Sequence, residues 1–154
     1  MISFEEIRVI TVVYLAVFLP LIIYFKNKDK LPNWIPTLYI VGVVVCSLGW
    51  ELWFSYGWIS GDGVDLRRSE SLNTWLPKDI NWLMNSMGDA GTVLLGGTWL
   101  MWVTHKKDQI VFKEWKWSGF CVLLTWCVTQ NILVEMFLYH DQLAEDKLLS
   151  WAPL

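Results

Sequence analysis

Charge is scarce in this sequence. Asp, Glu, Lys and Arg make up 18% of its 154 residues, against 55% apolar residues, which is too little polar surface to cover a soluble domain of that length. Histidine is scarcer still. His105 and His140 are the only two, and no Glu-x-x-His pair is present, which argues against a zinc or di-iron centre. No metal and no other cofactor is therefore assigned. The three cysteines, Cys46, Cys121 and Cys127, are odd in number and all fall inside apolar runs, so they read as packing residues and not as a disulfide framework. A Gly-rich phosphate loop, a Ser-His-Asp arrangement and a Cys-x-x-Cys pair are all missing. The net charge of −3 lacks the basic excess a nucleic-acid surface needs, which removes nucleic acid as a partner.

What the chain has is apolar length and tryptophan. Mean hydropathy is +0.38 and there are twelve Trp residues, a type enriched at membrane interfaces. Four runs fit the thickness of a bilayer, at residues 9–25, 35–59, 80–104 and 117–140. The first is charge-free and preceded by Glu5 and Glu6, with Lys26, Lys28 and Lys30 after it. That pattern fits an anchor and not a cleaved signal. Pro20 is expected to kink it. Pro36 opens the second run at a position where a missing N–H costs nothing. Open strands would leave backbone groups unpaired in lipid, so the runs must be helices. The expected fold is all-α: one integral membrane four-helix bundle over residues 1–154, with a long polar loop between the second and third helices. The tail after His140 is too short and too charged to cross again.

Basic residues set the orientation. Lys26, Lys28, Lys30, Lys106, Lys107, Lys113 and Lys116 fall in the first and third loops, while the other side holds Arg8, Arg67, Arg68, Lys78 and Lys147. Loops 26–34 and 105–116 are thus expected to face the cytoplasm, with both termini outside.

Three carboxylates interrupt the spans: Glu51, Asp89 and Glu135. Each costs about 2.5 to 3.5 kcal/mol to place in a bilayer and needs an inward-facing partner. Counting about 1.5 Å per residue from the outer helix ends puts them about 12, 13 and 8 Å deep, in the same half of the membrane. Each sits on a polar stripe. Asn81, Asn85 and Asp89 repeat at i, i+4, as do Asn131, Glu135 and Tyr139, with Gln130 alongside. Trp50 and Trp126 lie deep enough to line a pocket. The row Gly88, Thr92, Gly96 is a small-xxx-small pattern that lets another helix come close, which makes the third span the central one. Arg67 and Arg68 read equally well as a solvated loop pair or as groups above the carboxylates, serving as charge partners, as an anion or lipid headgroup contact, or as a lid.

The layout resembles the four-helix EXPERA family of sterol-isomerase-like membrane proteins in helix count and polar placement. Glu51, Asp89 and Asn131 stand at the nearest positions, and Ser47 occupies the place one turn before Glu51 where a histidine is expected. The resemblance implies an apolar ligand held between the helices.

The residues point to a pocket that binds, and in the stronger form isomerises or otherwise modifies, an isoprenoid, sterol or acyl lipid. Glu51 and Asp89 are the proton-handling candidates. Glu135, Asn85, Asn131, Trp50, Trp126, Tyr139, Arg67 and Arg68 are the ligand contacts. The rival reading is a non-catalytic subunit of a larger membrane complex, whose carboxylates serve assembly with other membrane subunits or a second copy. Membrane lipids are partners under either reading.

Overall fold

Hydrogen bonding at its first turn starts the first helix, α1 (Phe4–Asn27). Ser3 Oγ accepts from the Glu6 N–H at 3.1 Å, and Glu6 Oε2 accepts from the Ser3 N–H at 2.6 Å, a reciprocal cap that satisfies two orphan donors. The computed structural model describes residues 2–58 and 61–137, without the side chains of Glu135 and Phe137. Tyr139, His140 and the tail, like the side chain of Glu135, lie outside the described residues.

Among the described residues every regular element is a helix, and there is no strand. α2 (Ile35–Leu48) and α3 (Trp50–Tyr56) meet at Gly49 with a bend of 44°. α4 (Glu70–Trp75) is a short helix capped by Ser69. α5 (Lys78–Ala90), a π-helical segment (Gly91–Gly96) and α6 (Gly97–Thr104) follow one another directly, and α7 (Trp117–Phe137) closes the described chain. The helix runs through Pro20 without interruption.

Two helices, α1 and α7, are long and apolar enough to cross a membrane; the bent α2–α3 pair makes a third if it is one span. Residues 78–104 do not qualify on the same terms. Their first half carries Asn81, Asn85, Ser86 and Asp89, and a π segment interrupts the α-helix. The polarity is turned inward: Asn81, Asn85 and Ser86 are all buried. A single apolar run was the sequence expectation there, and also across residues 35–59. In both places the chain instead breaks its helix where polar or glycine residues cluster.

α5 and the π segment form the centre, packed against α1, α2 and α3, while α6 carries α7. Small residues permit this. A Cβ on Gly88 would stand 3.2 Å from Ala16 Cβ, and one on Gly91 would stand 3.3 Å from the Ala16 carbonyl oxygen of α1. On the far side, Gly96 and Gly97 lie against the Trp126 ring. The small-residue row thus serves two neighbours, α1 near Gly88 and α7 near Gly96. Apolar clusters close the two ends. Val9, Val13, Leu72 and Leu76 join α1 to α4, and Leu31, Ile35, Leu95 and Trp102 pack the opposite end.

α7 is the least covered element. Only 6% of its apolar stretch is buried, against 22% for α1, and Leu124, Val128, Ile132, Leu133 and Met136 all stand exposed. Such a surface needs lipid or another protein around it.

The tight seat of α1 gives a direct test. Gly91→Leu should lower stability by about 1–3 kcal/mol by forcing the helices apart. Gly61→Ala, where an added Cβ meets only Gly57 Cα at 3.8 Å, should stay within about 0.5 kcal/mol of the parent. Unfolding in mild detergent measures both.

Candidate functional site

Polar side chains inside the bundle divide into two groups that the sequence had combined. The first lies between α3, α4 and α5. Glu51 and Ser55 occupy one face of α3 at i, i+4, and Ser55 Oγ donates to Glu51 Oε2 at 3.2 Å. Asn81 Nδ2 donates to Ser55 Oγ at 3.3 Å, and Asn81 Oδ1 accepts from Arg68 at 2.9 Å. Glu51, Ser55 and Asn81 are fully buried. A chain of contacts therefore runs from the loop before α4 down to Glu51.

Arg68 anchors that chain. Besides Asn81, its guanidinium donates to Asn73 Oδ1 at 2.6 Å and to the Leu76 carbonyl. Asn73 in turn donates to the Asp65 carbonyl at 2.7 Å. Burial pushes the Arg68 guanidinium down to about 10, only partly offset by Asp65; the three acceptors compensate for the water it has lost. Arg67 donates to the Phe54 carbonyl and lies over the Phe54 ring, 5.3 Å from its centroid; burial lowers its pKa too. The two arginines thus pin the long loop to α3, α4 and α5, with protein oxygens as their acceptors.

The second group surrounds a cavity of about 250 Å³ between α1, α5 and α7, closed on one side by Trp50. Asn85 and Asp89 reach it from α5, Gln130 and Asn131 from α7, with Val9, Val12, Val13 and Ala16 as the α1 wall. Asn85 is 4% exposed, and its Nδ2 has no hydrogen-bond partner among the described residues. Asp89 is the one carboxylate among the described residues lining this space. Among the described residues Glu51 does not line it, so the two proton-handling candidates occupy different compartments.

Below this cavity an apolar groove of about 600 Å³ runs between α1 and α7, from Val12 to Ile23 along α1. The two spaces share Val12, Ala16, Thr92, Gln130 and Val134. Trp126 lines the groove and not the polar cavity. Its Nε1 donates to the Thr92 carbonyl at 2.7 Å, a backbone oxygen within the π segment, where the wider turn alters the ordinary i to i+4 pairing. The α1 wall was not anticipated. Ala16, a small residue one helix away from Gly88, was the signal that could have revealed it. No group of three His, Cys, Asp or Glu side chains among the described residues could hold a metal ion.

Compared with known proteins, the chain matches no family model, no curated protein and no solved structure. The site must be read from its own chemistry.

Arg68→Lys keeps the charge but cannot reach three divergent acceptors. It should cost about 2–4 kcal/mol of stability, the scale for breaking a buried charged network. Asn131→Ala, on an exposed α7 position, should leave the unfolding midpoint unchanged.

Proposed function

We propose that this protein crosses the membrane four times and holds a lipophilic molecule between α1 and α7, its polar end in the cavity beside Asn85 and Asp89. The spans are α1, the bent α2–α3 pair, the continuous helical stretch from Lys78 to Thr104, and α7. The lysine distribution favours loops 26–34 and 105–116 on the cytoplasmic side, with both termini outside.

One observation carries this reading: a polar-walled cavity opens directly into an apolar groove along the same two helices. A purely structural polar cluster has no use for such a space, and its members bond to one another, as Glu51, Ser55, Asn81 and Arg68 do. The groove faces lipid beside a sparsely buried α7, so a ligand can arrive laterally from the bilayer. If the protein also alters its ligand, Asp89 is the described lining group able to accept or deliver a proton. Glu51, held by Ser55 away from the cavity, serves the fold.

A second reading, an accessory subunit of a membrane complex, draws support from the exposed apolar face of α7. Purification in mild detergent followed by native mass spectrometry separates the two. The ligand reading expects a lipophile retained by the parent protein, lost in Asp89→Asn and retained in Glu51→Gln, which should unfold more readily. A parent protein that carries no small molecule but arrives with a stoichiometric protein partner overturns it.

A further inference from the structure

The cavity and groove together specify more than a generic lipophile. We infer that the ligand is a single-chain lipid with an uncharged hydroxyl head, such as a long-chain alcohol or a monoacylglycerol, a conclusion that rests on the binding role proposed above.

The head is set by the polar wall. Asn85 presents a buried Nδ2 that lacks a partner among the described residues, so the ligand must supply an acceptor. Asp89 presents a carboxylate, which accepts from a ligand donor when ionised. A hydroxyl supplies both with one atom. A phosphate or carboxylate head would need a cationic side chain to bind it, and among the described residues no Arg or Lys lines the cavity. An ammonium head would satisfy Asp89 but has no acceptor for Asn85. Gln130 and Asn131 add both donors and acceptors on the α7 side, which suits a head with more than one hydroxyl.

The tail is set by the groove. From Val12 to Ile23 it follows α1 for about 17 Å, roughly one leaflet of the hydrocarbon core, and aliphatic and aromatic side chains make up most of its wall. Gly96 lines it beside Trp126, where an added Cβ would stand 3.4 Å from the indole nitrogen. Two tryptophans, Trp99 and Trp126, line this stretch.

Those tryptophans provide the readout. A monoacylglycerol with a dibrominated 18-carbon chain, added to the full-length protein in detergent, should quench tryptophan emission saturably. Unbrominated monooleoylglycerol should reverse the quenching, whereas oleate and oleylamine should need at least tenfold more. Asn85→Leu should weaken binding about tenfold and unfold at the same or a higher temperature, since it removes a buried donor that nothing pairs with. A residue kept for packing alone would show the opposite pattern. Thr129→Phe, on the exposed face of α7 beside the groove, should abolish saturable quenching without adding an indole and without depending on how the cavity tolerates leucine. Equal competition by oleate, or parental binding by Asn85→Leu, overturns the hydroxyl-headed ligand while the lipophile pocket stands. Absence of saturable quenching by any of the three heads, with no lipid retained on purification, overturns both.

Discussion

Arg68 ties a surface loop to the buried middle of the protein, and one end of the helical assembly is arranged around the three oxygens that its guanidinium requires. Asn73 and the Leu76 carbonyl come from α4 and its end, and Asn81 from α5. Through Asn81 the same network reaches Ser55 and then Glu51 on α3. Three separate helices are thus fixed by one planar cation whose charge burial works against. Such a group is tolerated only when its donors are matched, so the positions of α3, α4 and α5 are not independent of one another. The loop is further held by the Lys78–Asp65 ion pair at 3.2 Å and by Tyr56, which donates to Asp79 at 2.7 Å.

With that end fixed in this way, the middle of the assembly is governed by distance between backbones. Gly88 and Gly91 bring α5 and the π segment against Ala16 and Pro20 of α1. α7 has no comparable seat on α1. It packs on α6 through Trp126, whose indole bonds to the Thr92 carbonyl. The gap left between α1 and α7 is the groove, and Asn85 and Asp89 of α5 form part of the wall of the cavity that adjoins it. Close packing on one side and its lack on the other therefore produce the candidate site together.

The division of the polar residues follows from helix geometry. Asn81, Asn85 and Asp89 share a face of α5, but a face has length. Asn81 lies level with Ser55 and Arg68, where partners are plentiful; Asn85 and Asp89 lie a turn or two deeper, beside the opening toward α1 and α7. Glu51 points to the first compartment because the 44° bend at Gly49 re-aims α3 relative to α2. Trp50, its neighbour in sequence, closes the second.

The amino-acid order alone determined the helical character, the apolar length of α1 and α7, the central place of the Gly88–Gly96 row, and the inward turn of Asn81, Asn85 and Glu51. All of these follow from local periodicity and from the cost of polar groups in an apolar medium. Tertiary structure decided which carboxylate meets the cavity, that Arg67 and Arg68 bind backbone carbonyls, and that α1 supplies the cavity's apolar wall. Depth counted along separate helices gives a common level, but not a common direction. The bend at Gly49, the π segment at Gly91–Gly96 and the approach of α1 to Ala16's partners set those directions, and each depends on contacts between residues far apart in the chain.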